Sequence, residues 1–405
     1  MLESGPAPRR AAVVFIFVTV LLDMLALGLI IPVAVPLILG FHGGDTIGAA
    51  GTIGLFNTVW ALAQFVCSPV LGALSDRFGR RPIILISNVG LGLDYVALAL
   101  APSLGWLLVG RVVSGITAAS ISTAHAYIAD VTPPEKRAAG FGMLGAAFGI
   151  GFVLGPALGG LLGAEDPRLP FWVAAGLSLT NALYGFFVLP DSLPPERRAR
   201  FAWARANPVG ALVLLRTRSG LLPLALTNFL SNLAHASLPS TFVLYAGYRY
   251  GWDERAVGLT LAWVGICSIV VQTSVVGPVV ARIGERRALL TGLGFGVIGF
   301  STYGLAEVGW VFWLGIPIMT LWGLASPSVQ GLMTGRVGAD EQGRLQGANG
   351  SLAGIAELIG PGLFTTAFAS FIATGALWHQ PGAPYLLAAL ILAAALALAW
   401  RTARA

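Results

Sequence analysis

The stretch LGALSDRFGRRP, residues 71–82, puts Asp76, Arg77, Arg80 and Arg81 between two long apolar runs. Of the 405 residues, 56% are hydrophobic and only 10% are charged. Soluble domains carry about 25% charged residues, so this chain cannot cover a water-facing surface. The runs flanking the charged stretch are long enough to cross a bilayer, which takes about 20 residues at a rise of about 1.5 Å each. In lipid each segment must satisfy its own backbone polar groups, so the runs should be helices. The charged stretch therefore reads as a loop between two membrane spans, and the chain as an all-α polytopic membrane protein.

The same reading along the chain gives about twelve transmembrane helices, with cores near 12–34, 49–71, 82–101, 104–129, 138–163, 170–190, 220–246, 256–280, 288–306, 309–335, 343–373 and 382–400. The first is too long for a signal-peptide core and lacks a small-residue cleavage site, so it reads as a retained helix. Of the 24 basic residues, 20 fall on one side, in the tails and alternate loops. Basic residues in short loops stay cytoplasmic, which places both termini and the 71–82 loop in the cytoplasm of a multi-pass protein. The formal charge of +6 follows from that topology and calls for no nucleic-acid partner.

The loop is repeated. VGPVVARIGERR at 276–287 matches it at a shift of 205, aligning Gly72, Arg77, Gly79 and Arg81 with Gly277, Arg282, Gly284 and Arg286. Gly155-Pro156 recurs as Gly360-Pro361, whereas Asp76 becomes Ala281 and Arg80 becomes Glu285. Two six-helix bundles follow, 1–190 and 220–405, joined by a basic cytoplasmic linker at 191–219. Repeats of this kind place a binding site between the halves near the bilayer midplane.

Enzyme chemistry finds no foothold. Cys67 and Cys267 lie inside expected helices without metal-ligand spacing, and the four histidines form no zinc pattern. No GxSxG, phosphate-binding loop or dinucleotide fingerprint falls between a strand and a helix. The expectation is a secondary transporter with no cofactor and no metal.

Over essentially its whole length the sequence resembles the major facilitator superfamily. LGALSDRFGRR is similar to the superfamily's loop between the second and third helices. Within it, LDMLALGLIIPVAVP (22–36), GLDYVALALAP (92–102), GRVVSGITAA (110–119), AYIADVTPPEKRA (126–138) and GFVLGPALGG (151–160) resemble the tetracycline-efflux type of drug:proton antiporter. So do GPVVARIGERRAL (277–289) and LQGANGSLAGIAELIGPGLF (345–364). Gly151, Gly155, Pro156, Gly159 and Gly160 match the antiporter signature, which symporters generally lack. The resemblance implies a cytoplasmic gate of Gly72, Asp76, Arg77, Gly79, Arg80, Arg81 and Asp130, in which Arg80 pairs with Asp130. Gly72 would allow a close helix approach there.

Four charged residues lie well inside spans: Asp23, Asp94, Arg111 and Glu357. A charge at the bilayer centre costs at least about 2.5–3.5 kcal/mol, so such residues are candidates for proton coupling or substrate binding. A structural carboxylate held by neighbouring hydroxyls, or an Asp94–Arg111 partnership, is the competing reading for the aspartates. Arg111, Gly115, Ala118, Ser122 and His125 fall on one face of the fourth span, which should line the cavity or a helix contact. For His125 a buried, hydrogen-bonded role competes with a proton relay. Asn57, Gln64, Asn228, Asn232, His235, Gln272 and Gln330 offer polar groups for a pocket or for helix contacts. Trp263 and Trp322 are candidate pocket walls.

One departure bears on substrate. Where the tetracycline pumps carry a histidine in the eighth helix and an aspartate in the ninth, this chain has Ser268 and Gly296, and it adds Glu357 in the eleventh. The expected function is proton-coupled export of a small amphipathic drug such as tetracycline across a bacterial inner membrane, by a monomer driven by the proton gradient. A metabolite or sugar carrier on the same fold and a non-transporting receptor or scaffold are the alternatives. The GFVLGPALGG signature disfavours symport, and the intramembrane charges disfavour the receptor.

Overall fold

The structure, a computed structural model, describes residues 7–133, 137–193, 196, 198, 210–217, 220–338, 341–374, 376 and 378–402. Among them every regular element is helical. The N-terminal part holds α1 (Ala7–Phe41), α2 (Thr46–Phe78), α3 (Arg80–Leu100), α4 (Leu104–Thr117), α5 (Ser120–Val131), α6 (Arg137–Glu165) and α7 (Leu169–Val188). A short α8 (Leu214–Thr217) precedes α9 (Leu221–His235), α10 (Ser237–Tyr250), α11 (Glu254–Val270) and α12 (Val276–Leu305). Then come α13 (Gly309–Thr320), α14 (Ala325–Thr334), α15 (Gln342–Ile372) and α16 (Ala383–Thr402).

Among the described residues, ten helical runs are long and apolar enough to cross a membrane. One of these, 254–305, is two passes, because Gly284 inside α12 is non-helical with φ 79° and ψ 158°. The bent pair α9–α10 supplies a further pass, so the expected twelve are accounted for. Gly79, between α2 and α3, has φ 105° and ψ 163°. Gly79 and Gly284 are partners in the sequence repeat, and both adopt a backbone region that is essentially closed to residues with a Cβ. The repeated loop is therefore the same sharp turn twice.

Several spans are interrupted midway. Three interruptions have one cause: a proline clashes with the carbonyl four residues before it and cannot donate to it. Pro239 meets His235, where α9 ends; Pro278 meets Ser274, inside the π-helical turn Val271–Val275; and Pro327 meets Gly323, inside the 3-10 turn Leu321–Leu324. The fourth lies at Ala118–Ala119, where α4 gives way to α5 although alanine, the best helix former, stands on both sides of the break; no feature of the local sequence explains it. Pro69, Pro156, Pro317 and Pro361 are carried inside continuous helices.

The chain forms two compact units. Unit one is drawn from Met1–Ala34, Leu62–Asn207 and Glu254–Ala262; unit two from Val35–Ala61, Pro208–Asp253 and Trp263–Ala405. The units thus exchange short pieces of the expected 1–190 and 220–405 bundles, and most of the 191–219 linker lies outside the described residues. In unit one Phe15, Ile16, Val20, Met24, Ile84, Tyr127 and Leu144 form a core. In unit two buried rings take that place: Tyr303 stacks on Phe312 at 4.0 Å, and Tyr245 meets Tyr385 edge-on at 5.0 Å.

Candidate functional site

Unit one holds three of the four charged residues set inside spans, Asp23 by itself and Asp94 and Arg111 as a pair. Asp23, on α1, is 3% exposed. Its carboxylate accepts from the Ser120 hydroxyl at the start of α5 and from Asn181 Nδ2 on α7 at 2.9 Å. The Asn88 amide, turned with its NH2 toward the carboxylate, donates to Asp23 Oδ1 at 3.1 Å. The acid is thus ringed by neutral donors from α3, α5 and α7. Asp94 on α3 is 1% exposed and pairs with Arg111 on α4, with Nη2 donating to Oδ2 at 2.9 Å. Gly110 makes room for this pair, since a Cβ there would run into Asp94 Oδ1.

The break at Ala118–Ala119 corrects the expected continuous face of the fourth span. Arg111 and Gly115 belong to α4, Ser122 and His125 to α5, so their offsets no longer define one stripe. Nor is His125 buried: it is exposed, with Nδ1 2.9 Å from the Ile121 carbonyl oxygen and its ring 5.8 Å from Phe141.

The 71–82 stretch, expected as a loop, is the end of α2, the Gly79 turn and the start of α3, and it carries a charge cluster. Arg80 bonds Ser75 Oγ at 2.8 Å, Asp130 Oδ2 at 3.0 Å and the Asp76 carboxylate. Ser192 Oγ donates to the same Asp130 oxygen at 3.0 Å. Arg77 lies 5.0 Å over the Phe78 ring, and Arg81 donates to the Phe186 carbonyl with its guanidinium 5.7 Å from that ring. Asp191 was not singled out in the sequence, yet it accepts from the Arg80 backbone N–H at 3.0 Å and from Arg198 Nη2 at 2.8 Å. Its carboxylate occupies the space where a Cβ of residue 79 would be. Gly72 differs from expectation: a Cβ there would meet nothing within 4 Å, so its small size serves no close helix approach in this structure.

The glycines of the antiporter signature do serve one. A Cβ at Gly155 would fall 2.7 Å from Gly28 Cα, and one at Gly28 would fall 2.8 Å from Gly155 Cα. Gly151 faces Met24 and Gly159 faces the Leu29 carbonyl, so α1 and α6 touch backbone to backbone. Gly160 turns to the other side of α6, where a Cβ would fall 3.0 Å from Gly258 Cα on α11. Pro156 joins both contacts, its ring against Gly28 and its carbonyl against Gly258. Gln64, in the same unit, is half-buried on α2.

In unit two Glu357 is half-buried on α15, and among the described residues no hydrogen bond or ion pair reaches it. Asn228 is buried, Asn232 and Asn57 are half-buried, and Gln272 is exposed in the π-helical turn. The His235 ring lies 5.9 Å from Trp322, which meets Phe300 at 5.5 Å. Trp263 is exposed on α11. Gln330 Oε1 accepts from Asn349 Nδ2 at 3.1 Å, tying α14 to α15. Gly296, in place of the expected aspartate, packs against Trp322 and Leu392: a Cβ would fall 2.7 Å from Leu392 Cδ1. Ser268 is half-buried on α11. Among the described residues no cluster of three or more His, Cys, Asp or Glu is placed to hold a metal.

The residues missed in the sequence, Ser120, Asn181, Asn88, Asn349 and Asp191, are short polar groups that gain meaning only from their partners. Three of them are amides inside apolar spans, which is the signal that was available.

Comparison with known proteins agrees with this architecture. Residues 16–361 match the family model described as Major Facilitator Superfamily. The chain is 38% identical over 381 residues to the class C tetracycline resistance protein of Escherichia coli, covering 93% of this chain and 95% of that one. With the class G tetracycline resistance protein of Vibrio anguillarum it shares 35% over 373 residues, 91% and 93% of the two chains. The human organic anion transporter MFSD10 (TETRAN) shares the fold, with a TM-score of 0.72 at 24% identity over 97% of this chain and 99% of that one. With its paired turns at Gly79 and Gly284, its membrane-length helices and this match over most of its length, the chain belongs to the major facilitator superfamily.

Proposed function

We propose that this protein is a drug:proton antiporter of a bacterial inner membrane, exporting a small amphipathic drug of the tetracycline kind. The observation that carries the reading is the 38% identity over 93% of the chain to a tetracycline resistance protein. The intramembrane acids supply the coupling. Glu357, free of ion pairs among the described residues, takes up a proton when facing outside and gives it up inside. Asp94 and Arg111 form a switch, because protonating Asp94 frees the guanidinium to meet another acceptor. Asp23, held by three neutral donors, positions α1, α3, α5 and α7 around a single acid whose charge the donors tolerate. The Asp76–Arg80–Asp130 cluster acts as the cytoplasmic latch.

Each proton moving inward supplies about 2.3 kcal/mol per 100 mV of membrane potential, besides its concentration term. Neutral amides on α9 and α14 and the Trp322 ring suit a polycyclic drug with many hydroxyl and carbonyl groups. The test is tetracycline uptake into everted vesicles energised by respiration. Accumulation that collapses with a proton-exchanging ionophore is expected; no accumulation above that of vesicles lacking the protein would reject the reading.

A further inference from the structure

Within unit two, α12 and α16 run antiparallel: Gly296 packs on Leu392 and Gly304 on Leu386. Near the end where α16 finishes they border a shallow, open groove of about 540 Å3, lined by Leu290, Thr291, Ala393, Leu396, Ala397 and Trp400. Small side chains at 291, 393 and 397 create it, and its walls are mostly apolar, with the Thr291 side chain among them. Water would find no set of polar partners there, so within a bilayer the natural occupant is hydrocarbon.

What distinguishes this groove is its charged end. Arg287 lies three and four residues before Leu290 and Thr291, and Arg401 lies four after Ala397. On an α-helix those separations share a face, so each helix carries an arginine one turn beyond the groove, at the same end. Both are exposed, and neither belongs to an ion pair among the described residues. Arg286, four before Leu290, is half-buried with an Nε that has no hydrogen-bond partner. The nearest acid on α12, Glu285, has its carboxylate against Gly331 of α14. Trp400, exposed at the rim, is an amphipathic ring suited to the level of the headgroups.

We infer that this groove seats an acyl chain of an anionic phospholipid, whose phosphate is held between Arg287 and Arg401. The apolar trough selects a lipid, and the unpaired guanidiniums select its charge.

The test is native mass spectrometry of the full chain in detergent, titrated with phosphatidylglycerol or with phosphatidylcholine of the same chain length. The wild type is expected to prefer phosphatidylglycerol. Arg287→Gln with Arg401→Gln should weaken that binding by about five-fold per arginine, while the two lysine variants retain most of it. Thr291→Leu with Ala397→Leu, which fill the trough, should lower the occupancy of both lipids. Equal binding of the two lipids by the wild type would overturn the proposal. So would a charge preference that survives both glutamine substitutions, occupancy unaffected by filling the trough, or full competition by inorganic phosphate. None of these readouts involves transport, so the result stands apart from the antiport reading.

Discussion

The contact between α1 and α6 allows a sharp test with an internal control. Gly155→Ala adds one methyl where the nearest atoms are Gly28 Cα at 2.7 Å, the Leu25 carbonyl oxygen at 3.0 Å and Gly28 C at 3.1 Å. All three are backbone atoms, so no side chain can turn away. Carbon atoms rest at about 3.5–4.0 Å, so the helices must part by nearly an ångström, and a gap of that size forfeits a quarter to a half of each neighbouring dispersion contact. The Gly151–Met24 and Gly159–Leu29 contacts on the same face would share that loss. Overpacking of this kind costs about 1–3 kcal/mol. Gly145→Ala makes the same chemical change in the same helix, where the new methyl would meet nothing within 4 Å. The helix-propensity gain of alanine is common to both variants and cancels in the comparison. The expected difference in unfolding temperature is about 2–12 °C, taking about 2–4 °C per kcal/mol. Tryptophan fluorescence during a thermal ramp on detergent-purified protein measures it. If Gly155→Ala and Gly145→Ala unfold together, the backbone contact between α1 and α6 is not where the structure puts it.

Three further outcomes are expected. Arg111→Gln leaves the buried Asp94 carboxylate without its cation and should cost about 3–5 kcal/mol, seen as loss of folded protein; adding Asp94→Asn should restore folding without restoring transport. Gly79→Ala and Gly284→Ala both force alanine into a positive-φ turn, but Gly79→Ala should be the more damaging because its methyl also displaces Asp191; equal unfolding temperatures would contradict this. Gly296→Asp, which restores the acid of the tetracycline pumps, should lower the yield of folded protein because the side chain has only Leu392 and Trp322 to push against. Normal yield would show that this site has room.

Much of this was legible in the sequence because it depended on period, charge or repetition. Span number followed from apolar length, and the pairing of Gly79 with Gly284 followed from the shift of 205, while the positive-φ turn both adopt came only with the structure. The Arg80–Asp130 pair was expected from the family pattern and is present. Breaks within spans were not foreseen, although Pro239, Pro278 and Pro327 each stand four residues after one. The reason is that Pro69, Pro156, Pro317 and Pro361 leave their helices continuous, so proline alone does not decide. The stripe from Arg111 to His125 failed for that same lack of a break signal. Gly72 and Gly155 look alike in sequence, yet one faces open space and the other a backbone. The donors around Asp23 come from three helices far apart in the chain, and no local pattern joins them.

The central claim is that drug export is exchanged for protons through intramembrane acids. Its most direct test is proton release from everted vesicles acidified inside by respiration and followed with a pH-sensitive dye. Adding tetracycline to vesicles holding the wild type should discharge part of the gradient, and Glu357→Gln at equal protein level should abolish the discharge. A wild type that accumulates tetracycline with no proton release, or a Glu357→Gln protein that exchanges as the wild type does, would contradict the account.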